Sequence, residues 1–247
     1  MMKVCAYIMT NDTGLAPNPF HDVCTLAVCT PNHVRANVNS GDYIVGIAGA
    51  TLCKKFRPPV NIHEPRIIYI MKVDKCMGLN DYYNTNEYFK KIPTLNGSSI
   101  DMCGDNFYKL INGELSHTNE TVNHNWHEVM AQDCKGNRVF IGKTFWYFGA
   151  HAPEIPSKCN WGIKLAAQLK VRQRNITYIF GGTCNNKWDD VDLNEFLKFL
   201  SNLKNNHSLT PVEFSDCLEN QPVNDVYSNY DIIPHTPIET KRKGGCS

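Results

Sequence analysis

A histidine, an acid and a cysteine crowd together at His21, Asp22 and Cys24. A thiol beside a histidine that an acid orients is a workable nucleophile: the imidazole takes the thiol proton and the carboxylate steadies the cation. Alternation works against the pair. On an extended segment His21 and Cys24 point to different faces, so the spacing favours a turn histidine beside a core cysteine. His124 and His127, with His117 upstream and Cys134 downstream, are types that zinc accepts, but their spacing fits no standard zinc site and no metal is assigned. No GxSxG, HExxH or P-loop pattern occurs, and GGTC at Gly181 lacks the spacing that cradles a phosphate. The aromatics offer more. In FWYFG, Phe145 and Tyr147 share one strand face, and Trp146 and Phe148 share the other. A face left open there is a platform for stacking a nucleobase, which Trp146 and Phe148 would supply; the alternative is a strand buried on both faces.

The stretch TNDTGLAPNPFHDVCTLAVC, Thr10 to Cys29, is dense in prolines, amides and acids and then turns apolar. A connector needs only a turn, whereas a loop of such fixed geometry reads as a built surface, although Asn-Pro and Asp-Thr-Gly are also ordinary turn chemistry. Lys54, Lys55 and Arg57 form a basic cluster that reads more readily as a solvated face than as a groove.

Rigid elements must hold these residues. Lys3 to Thr10, Val23 to Thr30, Asp42 to Ala50, Arg66 to Asp74, Asn137 to Gly149 and Asn175 to Gly182 read as strands, rich in Val, Ile and aromatics. Leu79 to Lys91 and the WGIKLAAQL segment read as helices, and residues 92–137 as an irregular stretch. The clearest helix runs from Val191 to Asn206, with Asp190 as N-cap and Leu193, Phe196, Leu197, Leu200 and Leu203 as its apolar stripe. Strands lead the first half without regular strand–helix alternation. That predicts an α+β fold, with a curved mixed sheet or a small β-barrel and peripheral helices.

The chain has 247 residues, room for one large domain or a domain with an extension. At 42% apolar and 20% charged it has a globular rather than a disordered composition. A formal charge of +1 removes the simplest argument for nucleic-acid binding, a globally basic chain. No apolar run approaches the roughly 18 residues that cross a bilayer, and MMKVCAYIMTND reads as a first strand rather than a signal segment. Eleven cysteines, an odd count without a CxxC pair, predict a reducing, cytoplasmic setting with buried free thiols and no disulfide.

Taken in order, Thr10 to Cys29, GDYIVGIAG (Gly41 to Gly49), IIYIMKVD (Ile67 to Asp74), GDNFY (Gly104 to Tyr108) and FWYFGAHAPEIP (Phe145 to Pro156) resemble the nucleotide-modification-associated domain family of the second type. The first block is the most specific, and together the matches cover most of residues 1–160. Asn11 stands where the family pattern has a histidine, which puts in question any step that histidine performs. The same order is similar, at the level of fold, to the PUA-like barrels, including the EVE and ASCH types. The implied organisation is a PUA-like domain over 1–160, an α/β extension over 161–238 packed on the same core, and a disordered basic tail over 239–247.

The resemblance implies binding of a modified base or nucleotide, in a nucleic-acid modification or phage defence or counter-defence setting. The partner would be a nucleotide or modified nucleic acid, with no membrane and no cofactor. Thr10, Asn11, Asp12, Asn18, His21 and Asp22 would form one wall of the pocket, where amides match a base edge in donor and acceptor. Asp105, Asn106 and Tyr108 would form the opposite wall. The alternatives are an enzyme on a modified nucleotide or base, with Asp12 or His21 as general acid or base, and a protein that sequesters a small signalling nucleotide. On this reading, replacing Asn18 or His21 by alanine costs affinity and at most about 1 kcal/mol of stability.

Overall fold

A computed structural model describes residues 2–94, 97–118, 127–170, 177–181, 188–203 and 209–214. The β-branched and aromatic runs form strands β1 (Lys3–Met9), β2 (Cys24–Leu26), β3 (Tyr43–Ala48), β4 (Ile67–Lys72), β5 (Lys75–Met77), β6 (Tyr108–Ile111), β7 (Glu114–His117), β8 (Val139–Gly142), β9 (Phe145–Tyr147) and β10 (Thr177–Gly181). The helices are α1 (Pro31–Arg35), α2 (Ala50–Cys53), α3 (Leu79–Tyr83), α4 (Ser99–Met102), α5 (His127–Gly136), α6 (Asn160–Lys170) and α7 (Asp190–Asn202). The class is α+β with mixed sheets. The described strands sort into a five-stranded sheet, β10-β1-β3-β4-β9, a three-stranded sheet, β2-β8-β5, and the β6-β7 hairpin. None closes on itself, so the barrel alternative is not formed.

In the large sheet β1 and β3 run parallel and the other pairs antiparallel. All six residues of β3 are buried, as expected of a central strand covered on both faces. Ile67, Ile68 and Ile70 of β4 are fully buried beside it, each contributing roughly 1.5–3 kcal/mol. Asn137 to Gly149, expected as one strand, is two. The break falls at Lys143 and Thr144, just after Gly142, where a Cβ would lie 2.3 Å from the Lys72 carbonyl oxygen. The ribbon therefore pairs β5 with β8 in the small sheet and β4 with β9 in the large one, and it bends where the Lys143 amide donates to Asp74 Oδ2 at 2.6 Å.

The stretch 92–137, expected to be irregular, holds α4, the β6–β7 hairpin and α5. Helix α7 begins one residue earlier than expected, and its N-cap is Asp189, not Asp190. The Asp189 carboxylate accepts from the Val191 and Asp192 amides while Asp192 accepts from the Asp189 amide. Leu193, Phe196 and Leu200 are buried, with Phe196 against Tyr43 and Trp161, but Leu197 is 37% exposed. Cys5, Cys24, Cys53, Cys76, Cys103, Cys134 and Cys159 are free thiols, whereas Cys29 is disulfide-bonded, which overturns the expectation of no disulfide. The expected tail over 239–247 and most of the expected extension beyond 203 lie outside the described residues.

The register builds one feature that the sequence does not display. Tyr7 on β1 lies opposite Gly46 on β3, Gly46 opposite Tyr69 on β4, and Tyr69 opposite Tyr147 on β9. Three tyrosines and a glycine thus share one row and one face. A Cβ at position 46 would come 2.4 Å from Met9 Sδ and 2.4 Å from Tyr69 Cε1. Glycine leaves the Tyr69 ring room to lie across β3 and bring its hydroxyl 3.0 Å from that of Tyr7. Gly46→Ala is expected to cost about 1–3 kcal/mol in urea unfolding through overpacking; unchanged stability would show that Met9 and Tyr69 yield freely.

Candidate functional site

Strand β1 ends at Met9, and the chain enters the polar loop at the Tyr147 end of the tyrosine row. Asp12 is 1% exposed. The Tyr147 hydroxyl donates to its Oδ1 at 2.5 Å, and the Val212 amide donates to its Oδ2 at 2.9 Å. Both bonds favour the carboxylate, but burial outweighs them and raises the Asp12 pKa to about 7. The segment at residues 209–214 lies against Asp12. Thr210 accepts from the Ala150 amide at 2.8 Å, and the Glu213 carboxylate accepts from the Asp12 amide at 2.9 Å. Outside this cover lie half-buried Thr10 and exposed Asn11, whose Oδ1 accepts from Lys55 Nζ at 2.8 Å. At the opposite end of the row the His33 ring meets Tyr7 edge-on, 4.6 Å between centroids. Burial lowers the His33 pKa to about 4 and raises those of Tyr7 and Tyr69, so all three are neutral at pH 7.

Asn18, Asp105 and Asn106 meet in a second buried cluster organised by Lys91, which is 1% exposed. Its ammonium donates to Asn18 Oδ1 at 2.7 Å, to the Asn18 carbonyl at 3.0 Å and to the Val23 carbonyl at 2.7 Å, one acceptor for each proton. Burial still lowers its pKa to about 8. Asn18 Nδ2 donates to the Cys103 carbonyl at 2.9 Å. Asp105 accepts from Thr25 Oγ1 at 2.7 Å and from the Tyr82 hydroxyl at 2.8 Å, and burial raises its pKa. Asn106 donates to the Tyr82 and Tyr88 carbonyls. This network anchors the loop that carries Asp12.

The other expected site residues are spread. His21 and Asp22 both adopt positive φ at the turn into β2; Asp22 is exposed, and His21 Nε2 lies 3.7 Å from Asp101 Oδ1. Tyr108 donates to Asp133 at 3.1 Å, beside the hairpin. Trp146 and Phe148 are buried at 9% and 7%, and Trp146 Nε1 donates to the Leu203 carbonyl, so both faces of β9 are covered. Of the expected residues, the structure sets Asp12 against the tyrosine row, with Thr10 and Asn11 at its rim. Tyr7, Tyr69, Tyr147, Lys91 and Glu213, which the structure sets beside them, were not among the expected site residues, and Lys55 was read as part of a solvated basic face. Each of β1, β4 and β9 shows a tyrosine in its sequence, but only the register aligns them. His124 lies outside the described residues, and among those described no group of three or more His, Cys, Asp or Glu could hold a metal.

The family model for nucleotide modification associated domain 2 matches residues 1–217. The chain belongs to that family. No curated protein and no solved structure matches it. The nucleotide modification associated domain 2 match runs through every element named above, α6, β10 and α7 included, and sets the chain in a nucleotide-modification context. Among the described residues no helix is long and apolar enough to cross a membrane.

Two outcomes follow from this geometry. Asn18 is not the exposed loop group that the sequence suggested. Asn18→Ala strips Lys91 of an acceptor and removes the bond that Asn18 Nδ2 donates to the Cys103 carbonyl, so it is expected to cost about 2–4 kcal/mol in denaturant unfolding, with His21→Ala below about 1 kcal/mol; equal losses would contradict the network. Asp12 binds its proton up to about pH 7 when folded and only to about 3.8 when unfolded. Its contribution to stability is therefore full below pH 4 and is lost as pH rises to 7, a change of roughly 4 kcal/mol. The difference in unfolding free energy between wild type and Asp12→Asn, taken from pH 4 to 8, should fall by about that amount; a flat difference would place the Asp12 pKa in the ordinary range.

Proposed function

We propose that the protein binds a modified base or nucleotide, in a nucleic-acid modification or phage-conflict setting, at the Asp12 end of the tyrosine row. The observation that carries this reading is the Asp12 carboxyl, buried against Tyr147 and poised near neutrality beneath a polar rim. Base edges present donors and acceptors side by side, and a carboxyl able to serve as either matches both kinds. The tyrosine row supplies hydroxyls on one face of the sheet, at positions fixed by strand pairing rather than by a loop. Thr10 and Asn11 lie where the ligand would enter. The family match gives the reading its context, and the fixed loop behind it supplies preorganisation, which lowers the entropic cost of binding. Asn18, Asp105 and Asn106 act on this reading through the loop they hold. His21 and Asp22 belong to its outer turn, and Trp146 and Phe148 support β9 from the opposite face.

A second reading is favoured by the same acid. A carboxyl with a pKa near 7 is suited to general acid–base catalysis on a modified nucleotide or base. One experiment addresses both. The protein is incubated with a panel of nucleosides, nucleotides and short DNA carrying modified bases, and binding is followed by calorimetry and products by mass spectrometry. Tyr147→Phe keeps the ring and deletes the hydroxyl; it is expected to weaken binding of the preferred compound by about 5- to 150-fold, the equivalent of 1–3 kcal/mol, while the protein stays folded. Product formation abolished in Asp12→Asn would establish the enzymatic reading. No binding to any member of the panel, or affinity untouched by Tyr147→Phe, would refute the site.

A further inference from the structure

At the rim of the site a carboxylate from far along the chain occupies a set of donors suited to an anion. Glu213 pairs with the Lys55 ammonium through Oε1 and accepts from the Asp12 amide through Oε2 at 2.9 Å. The two partners, a main-chain N–H and an ammonium, are what a phosphate oxygen seeks: a fixed amide donor and a point charge. The same lysine is oriented by Asn11, whose Oδ1 accepts from it at 2.8 Å and leaves the positive charge aimed at Glu213. Lys54 and Arg57 stand exposed in the same stretch of sequence.

The segment that brings Glu213 here is held independently of its carboxylate. Val212 is 1% exposed and donates to Asp12 Oδ2, the Glu213 amide donates to the Asp12 carbonyl at 3.3 Å, and Thr210 accepts from Ala150. Gly149, at φ +50°, clears the way for that last contact, since a Cβ there would lie 1.9 Å from the Thr210 carbonyl oxygen. The Glu213 side chain can therefore leave by rotating about its own bonds while the segment stays in place. Its side chain is 15% exposed and that of Lys55 34%, so both reach solvent.

We propose that Lys55 and the Asp12 main-chain N–H form a phosphate subsite of the nucleotide site, and that Glu213 occupies it as an internal stand-in for the phosphate. The inference rests on the nucleotide reading above and adds to it the class of ligand: a phosphorylated nucleotide rather than a free base or nucleoside. A ligand phosphate displaces the Glu213 carboxylate and takes the same two donors, with the rest of the nucleotide lying over the Thr10 and Asn11 rim. Glu213 then discriminates against weakly charged ligands, because an arriving group must outcompete a carboxylate already in place.

The test uses the full chain and inorganic phosphate as first probe, with binding read by calorimetry at fixed ionic strength. Glu213→Ala vacates both donors and is expected to bind phosphate at least 10-fold more tightly than wild type. Glu114→Ala, an exposed acid on the β6–β7 hairpin, changes net charge equally and should show no gain. Adding Lys55→Met to Glu213→Ala should abolish the gain. Absence of a gain in Glu213→Ala, a gain that survives loss of Lys55, or an equal gain in Glu114→Ala would each overturn the subsite. Nucleosides and their 5′-monophosphates, titrated into the same variants, separate the two levels. Nucleosides that bind without any benefit from the phosphate would refute the subsite and leave the nucleotide reading intact. Lys55-dependent phosphate binding with no added affinity from any nucleoside would keep the anion site and refute the nucleotide reading.

Discussion

Asp12 keeps its carboxyl out of water between the Tyr147 hydroxyl and the Val212 amide, and the arrangement around the site depends on that contact. Burying an acid is tolerable only when its oxygens find donors or when it keeps its proton. Here both routes are used in part: two donors are supplied, and the pKa still rises to about 7. The donors come from distant parts of the sequence, one from strand β9 and one from the segment at residues 209–214. The loop after β1, the edge of the main sheet and that late segment are therefore tied at one point. A change in any of them alters the electrostatics of the acid, which is why the site cannot be understood from the loop alone.

The loop is stiffened from its other end by a lysine with no access to solvent. Lys91 spends each of its three protons on an acceptor drawn from Asn18 or Val23. An ammonium in that setting repays its desolvation only while every acceptor is in place, so the network is satisfied as a whole or costly in part. Its effect is geometric. The stretch between Asp12 and β2 has few ways to rearrange, because any displacement of Asn18 would also break the bond its Nδ2 donates to the Cys103 carbonyl. The two clusters differ in kind: Lys91 has an acceptor for each of its protons and holds the loop in position, whereas the Asp12 carboxyl is set near a protonation midpoint.

How far the sequence disclosed this can be seen from individual residues. The strands were legible because β-branched runs such as IIYIMK bury wherever a sheet puts them, and α7 because its apolar spacing and acidic cap are local signals. Asp12 stood out as a candidate in a loop of unusual composition, but its burial against Tyr147 and Val212 did not show. Lys91 was not, since a lysine at the end of a short helical stretch reads as a solvated charge and only tertiary placement makes it an anchor. Tyr7, Tyr69 and Tyr147 were not legible as a group, because nothing local sets which residues of β1, β3, β4 and β9 stand opposite one another. Asn18 was misjudged for a related reason: a polar residue between prolines looks exposed until its partners arrive from residues 91 and 103. What the sequence concealed is long-range pairing.

The two ends of the tyrosine row respond to protons in opposite senses. Folding holds the His33 imidazole neutral, with its pKa pushed down to about 4, so stability falls as pH drops from 6.5 towards 4 and the unfolded chain gains a proton that the native state refuses. Folding holds the proton on Asp12 instead, so stability falls as pH rises across nearly the same interval. The two contributions are of similar size, roughly 3 and 4 kcal/mol, and over the shared range they largely cancel. Removing a proton from the Asp12 end therefore need not be paid for in unfolding, because the histidine end recovers stability as the acid end gives it up. A buried group that changes charge near neutrality ordinarily threatens the core that buries it. Here a row of neutral phenols separates Asp12 from His33, so the charge change sits at the Tyr147 end of the row, at the β9 edge of the sheet.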